Sequence, residues 1–266
     1  MPKSRNPKIE FDRLQAYFGE PYVIDLDDAA GSVTVYQPSI GDIIRIGEKR
    51  FYSTLYVYTT NTTANRMMLW DNCVDWCEMR DYDLFTLLVQ TSDPEVNKLL
   101  FGDLDLTKFE RVGKQVSENE QVVTFYNKEA DVEINEMVYF HISQYLRMLF
   151  NIYPEEKITR DSILKKWYID KDKRQKEIDE EKAKKGKDQD SYSIQPLISA
   201  YLNHPGTKYK LKELKEVGIC EFNDAVQRLQ IYESTTACMK GLYSGMVDGK
   251  KIKPEDYNFM KEISHN

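Results

Sequence analysis

Hydrophobic positions along the chain change period several times, and each change marks a different element. A short helix is expected over Phe11–Phe18, followed by strands over Tyr22–Leu26 and Ser32–Tyr36. Asp27-Asp28-Ala29-Ala30-Gly31 between them reads as a hairpin turn. From Ser39 to about Thr60, the residues Ile40, Ile43, Ile44, Gly47, Phe51 and Leu55 recur at three- and four-residue spacing. This predicts one amphipathic helix with Ser39 as its N-cap. Further helices are expected over Thr63–Trp70, Asp81–Gln90 and Asp93–Phe101, the last opened by Pro94. After Gly102, Leu104–Arg111 and Gln121–Tyr126 are β-prone and are expected to form a small sheet with the N-terminal hairpin.

Glu136–Ile152 returns to the helical period. Met137, Phe140, His141, Tyr145, Met148, Leu149 and Ile152 form its stripe, and Pro154 marks its end. Between Asp161 and Asp190 apolar residues nearly vanish after Ile169, leaving ten basic and nine acidic side chains in balance. Glu180 with Lys184 and Glu181 with Lys185 stand in the favourable i,i+4 order. An exposed helix that frays near Gly186 is expected, either as a solvated linker or as an arm that engages a partner or a neighbouring copy. Beyond it come Ile194–Leu202, the turn His204-Pro205-Gly206, and a long helix over Glu221–Lys240. The expected buried stripe of that helix is Phe222, Ala225, Val226, Leu229, Tyr232, Thr236 and Met239, and Gly241 is its stop. Pro254 then launches a last helix over Glu255–Ile263. The fold class is therefore α+β, mainly α-helical, with a small antiparallel β element in the N-terminal half. Three parts follow: an α+β domain over 1–155, a charged helix or linker over 156–190, and a helical domain over 191–266.

Composition narrows the role. A hydrophobic content of 41% over 266 residues supplies a core. The apolar runs are too short to span a bilayer, and the chain start carries no apolar signal region, so a cytosolic location is expected. Cys73, Cys77, Cys220 and Cys238 lack the spacing of a disulfide framework and read as thiols. A net charge of −7 argues against binding nucleic acid by phosphate neutralisation. The 18 tyrosines among 12% aromatic residues mostly serve a core, but Tyr and Trp are also the residues that anchor protein interfaces.

Motifs for chemistry are sparse. The chain has no phosphate loop, no GxGxxG and no HExxH. His141, His204 and His265 are expected in structural settings, although imidazole titrates near neutral pH. Cys73 and Cys77 would share a face on a helix, yet no second pair accompanies them at zinc spacing. Asp103-Leu104-Asp105-Leu106-Thr107 fits the DxDxT pattern of haloacid-dehalogenase phosphotransferases, where the first Asp attacks phosphorus. The strand-helix alternation that builds their parallel sheet is missing here. Ser162-Ile163-Leu164-Lys165 fits SxxK by chance, and Asn61-Thr62-Thr63 is a glycosylation acceptor only in a secreted protein.

Gln37-Pro38-Ser39-Ile40-Gly41-Asp42-Ile43-Ile44, then Gly47-Glu48, Phe51-Tyr52, Trp70-Asp71 and Asp81-Tyr82-Asp83-Leu84-Phe85, resemble the N-terminal part of phage proteins found among tail genes. Glu221-Phe222-Asn223-Asp224-Ala225-Val226-Gln227-Arg228-Leu229 with Gly241-Leu242-Tyr243-Ser244-Gly245 resembles the helical end of phage tail assembly chaperones. The resemblance implies a non-enzymatic chaperone in the host cytoplasm that binds tape measure or tail-tube protein, self-associates, and needs no cofactor, metal, nucleic acid or membrane. The β segments and the charged helix depart from those chaperones and keep open a ring-forming structural protein of the tail or connector, located in the virion. A third reading is a phosphotransferase using Asp103 and Asp105. Partner contacts are expected at Trp70, Trp76, Phe222, Leu229, Tyr232 and Met239, since aromatic and Met side chains repack against varied helices.

Overall fold

A computed structural model describes residues 7, 9–117, 120–184, 193–261 and 263. The first helix, α1 (Arg13–Tyr17), is short and begins where the Asp12 carboxylate accepts from the Leu14 and Gln15 amides. Strands β1 (Tyr22–Asp25) and β2 (Ser32–Val35) then pair antiparallel, Tyr22 opposite Val35 and Asp25 opposite Ser32. Gly31 closes the turn at φ +67°, and a Cβ there would lie 2.6 Å from the Asp131 carbonyl. Ser39 caps α2 (Ile40–Ile46) through a reciprocal pair: its hydroxyl accepts from the Asp42 amide while the Asp42 carboxylate accepts from the Ser39 amide. The single helix expected over 39–60 is two, because Gly47 at φ +98° breaks the ladder before α3 (Glu48–Thr59).

Four helical pieces follow: α4 (Arg66–Asp71), α5 (Asp81–Leu88), a 3-10 turn over Val89–Thr91, and α6 (Pro94–Phe101). Strands β3 (Glu110–Ser117), β4 (Glu120–Asn127) and β5 (Val132–Ile134) form a separate antiparallel sheet in that order. The strand expected over 104–111 begins later, because Asp105 caps a 3-10 turn at Leu106–Lys108. The expected single sheet is likewise two; the hairpin packs on the second, where the Glu133 amide donates to the Ala30 carbonyl. Next, α7 (Glu136–Phe150) packs across α3 and stops at Asn151 in the left-handed conformation, before Pro154 is reached. Of its expected stripe Phe140, Tyr145 and Leu149 are buried, Met137 is exposed, and His141, Met148 and Ile152 are half-buried; the buried face also takes in Val138, Tyr139, Ile142, Leu146 and Phe150, because α7 is covered on more than one side.

Aromatic residues fill the centre. Phe85 stacks on Tyr139 at 4.8 Å, Phe109 on Phe125 at 5.1 Å, and Tyr58 meets Phe101 at 5.1 Å. Their polar tips are satisfied: Tyr58 Oη donates to Asn97 Oδ1 and Tyr82 Oη to the Ile134 carbonyl. The chain is thus mainly helical α+β with small antiparallel sheets.

The charged helix is α8 (Ser162–Lys184); the Gly186 end of that segment and Lys185 lie outside the described residues. The C-terminal part comprises α9 (Gln195–Asn203), α10 (Leu211–Leu214) and α11 (Ile219–Tyr243), then short 3-10 turns at Gly249–Lys251 and Pro254–Tyr257, the second at the start of the helix expected over Glu255–Ile263. Gly241 does not end α11, whose amide ladder runs two residues further. Ile194, Tyr201, Leu214, Val217, Ile219 and Phe222 belong to the same apolar core as the N-terminal elements. A backbone staple reinforces the join: the Ile40 amide donates to Val217, Gly41 to Lys215, and Ile219 to Pro38. A Cβ on Gly41 would lie 2.8 Å from the Lys215 carbonyl, so only glycine permits this approach.

Candidate protein-interaction surface

Two clusters hold the aromatic residues singled out in the sequence. The first is a satellite core of Leu69, Trp76, Cys77, Leu84 and Ile169, beside the main one. Trp76 is fully buried and donates Nε1–H to the Lys157 carbonyl at 3.2 Å; Trp70 meets it edge-on at 6.0 Å and is 38% exposed. The extended segment 155–159 is pinned here by side chains and not by a ladder. Asn61 Nδ2 donates to the Glu155 carbonyl, the Lys157 amide to Thr63 Oγ1, and the Thr159 amide to Cys77 Sγ. Three ion pairs then hold α8 against the α4 region: Arg66 with Asp172 through two 2.6 Å bonds, Lys173 with Asp71 at 3.2 Å, and Lys165 with Asp75.

The second cluster lies on the C-terminal helices. Phe222 is buried, edge-to-face with Tyr201 at 5.7 Å. Leu229 is half-buried and lines an apolar groove of about 210 Å³ between α9 and α11, with Leu197, Ala200, Tyr201, His204 and Val226. His204 and Glu233 form its polar rim at 3.1 Å. His204 Nδ1 accepts from the Gly206 amide, so Nε2 carries the proton and donates to Glu233. Tyr232 is exposed and packs edge-on against Phe259 at 6.1 Å, and Arg228 Nη1 ties the tail down through the carbonyls of Phe259 and Lys261. Along the second half of α11, Thr235 is buried while Met239 is half-buried, so the stripe expected through Tyr232 and Met239 is not a core face. Beyond it, Tyr243, Met246 and Met260 stand open to solvent, Met246 at 88%.

Residues 184–264 match the family model of the YomV second domain. That family is phage-derived, and the match points to a phage origin. No curated protein and no solved structure matches the chain. The YomV-like segment contains α9, α10, α11, the groove and the exposed residues after Tyr243.

Of the six expected contact residues, Leu229 and Tyr232 therefore reach the surface of the YomV-like segment, Met239 does so in part, and Trp70 does so elsewhere. Trp76 and Phe222 are corrected to core: a partner reaches neither without opening a packed cluster. Leu197, Tyr243, Met246 and Met260 were missed, although the apolar run after Gly241 in a polar tail was visible as a signal.

The chemical motifs dissolve into structural roles. Asp105 Oδ1 accepts from both the amide and the hydroxyl of Thr107, Asp103 sits in an exposed turn, and both sheets among the described residues are antiparallel. The phosphotransferase reading thereby loses its scaffold. Cys73 and Cys77 share no helix: Cys73 is exposed at φ +59° past the end of α4, and Cys77 is buried. Burial pushes the Cys220 thiol up to about 11, which keeps it protonated at neutral pH. Among the described residues no cluster of three metal-ligating side chains occurs, and no helix is long and apolar enough to cross a membrane. His141 Nδ1 lies 2.6 Å from Tyr22 Oη, and His265 is outside the described residues. Asn61 is buried, with Oδ1 accepting from Ala64 and Nδ2 donating to Glu155, so the glycosylation triplet is inaccessible.

Proposed function

We propose that this protein is a non-enzymatic phage assembly factor, a tail assembly chaperone that binds tape measure or tail-tube protein in the host cytoplasm. The observation that carries the reading is a coincidence of place. The segment similar to a phage-derived domain is also the segment with an apolar groove and a fringe of exposed Tyr and Met residues. A helix laid into a groove of this kind is held by apolar anchors, and soft Met side chains accommodate helices of differing sequence. The half-open Leu197 at the groove wall offers a probe that leaves the core intact. Co-expression with the neighbouring tail proteins and capture on this chain should recover a soluble complex, and Leu197→Glu should weaken it by about tenfold or more. Recovery of no tail protein with the wild-type chain would sink the reading.

A ring-forming structural protein of the tail or connector is the second reading, and the outward apolar side chains of α8 favour it. Mass spectrometry of purified virions separates the two, because a chaperone is absent from the finished particle.

A further inference from the structure

Among the described residues, helix α8 turns one side to the rest of the molecule. Lys165, Tyr168, Ile169 and Asp172 face α4, and Ile169 alone on the helix is buried. At 100° per residue the opposite side carries Ile163, Trp167, Asp170, Arg174 and Ile178. Ile163 is 80% exposed, Trp167 53% and Ile178 47%, which is unusual on a helix otherwise made of charge. Their spacing has a symmetry. Ile163 and Ile178 lie equally far, about 11 Å, on either side of the midpoint between Asp170 and Lys171; Trp167 and Arg174 lie equally far, about 5 Å, on either side of the same point.

From this we infer that the outer face of α8 binds the same face of a second copy, antiparallel, about a two-fold axis at that midpoint. In this register Ile163 meets Ile178 of the other copy at both ends, and Trp167 meets Arg174 across the seam. The Trp167 ring already attracts a cation, since Lys171 Nζ lies 5.5 Å from its centroid. On one flank Lys166 lies within about 3 Å, along the axis, of the level of Glu177 of the second copy, which long side chains span. At the centre of the seam the antiparallel register sets Asp170 beside Lys171 of the second copy, whereas a parallel pair in register would align each charge with its own counterpart. The opposed macrodipoles act in the same direction. A client helix or an anionic surface would gain nothing from the symmetric placement of the two isoleucines. The inference holds whichever client the C-terminal groove takes, so it can fail while the chaperone reading stands.

The test uses the full chain in a Cys73→Ser background, which removes the exposed native thiol. Sedimentation should show a concentration-dependent dimer. Lys166→Glu should weaken it roughly tenfold, and Lys166→Glu with Glu177→Lys should restore it, because the pair is exchanged and not lost. On mixing Ile163→Cys and Ile178→Cys chains under oxidation, disulfides should join 163 to 178 in preference to 163–163 or 178–178. A monomer at all concentrations, no rescue in the double variant, or crosslinks chiefly between identical positions would each overturn the antiparallel pair.

Discussion

Phe222→Ala asks whether the C-terminal helices unfold with the rest of the chain or by themselves. Phe222 is 1% exposed, and its ring packs on Tyr201 and among core residues from both halves of the sequence. Emptying such a site costs about 3–5 kcal/mol, the ring pair included. An unfolding entropy of about 2.1 cal/mol/K per residue, applied to this length, gives roughly 0.56 kcal/mol/K and a midpoint lowered by about 5–9 °C. The assay exploits the placement of the tryptophans: Trp70, Trp76 and Trp167 all lie before the C-terminal segment. Their fluorescence therefore reports the N-terminal elements and α8, while far-ultraviolet circular dichroism reports every helix. With one shared core, both probes should move together by the full amount. If the fluorescence midpoint stayed within about 1 °C of wild type while the dichroism showed an earlier step, the packing argument would be refuted.

Arg66→Ala should release α8 first, because it removes two 2.6 Å charged bonds to Asp172 at a partly buried site. At about 2 kcal/mol of local stability, cleavage within α8 by dilute protease should be faster by about 30-fold, and an unchanged rate would contradict the ion-pair latch. Gly31→Ala should cost at least about 2 kcal/mol in urea titrations, from positive φ and the clash with the Asp131 carbonyl. Gly19→Ala, at φ +77° with open space around it, should cost only about 1 kcal/mol, and equal losses would rule out the clash. Burial lowers the His141 pKa below its ordinary value, so in acid the unfolded chain takes up a proton that the folded chain resists. Stability from this group is complete above the ordinary imidazole range and declines as pH falls below about 6.5. His141→Gln should flatten that part of a melting-temperature profile between pH 5 and 8.

The sequence reveals those elements whose determinants are local. The Ser39 cap, the hairpin over 22–35, Pro94 at the start of α6 and the existence of α7 are all legible because each depends on residues within a few positions. The break at Gly47 is hidden, since Ile43, Gly47 and Phe51 keep helical spacing across it. Strand β5 is too short, at three residues, to show a period. Trp70 and Trp76 cannot be told apart by pattern: Trp76 is buried by a segment some eighty residues later, and Phe222 by elements from the other end of the chain. Of the candidate surface, the helical period puts Leu229 and Tyr232 in a buried stripe, whereas Tyr232 is exposed and the groove at Leu229 exists only once α9 has packed beside α11.

The side-chain pinning of 155–159 also sets a hierarchy of opening. A ladder would give each amide a backbone partner and would fail as a unit, but here the amides of Lys157 and Thr159 donate to one hydroxyl and one sulfur. Sulfur is a weak acceptor, so Thr159 is the place where solvent enters at the least cost. Opening there loosens the lead into α8 while the aromatic core stays closed, so 157–169 is expected to open locally before the global transition. In hydrogen exchange the amides of 157–169 would then form one early-exchanging group, and the signal of Trp76 would change with them because its indole hydrogen bond ends on the same segment.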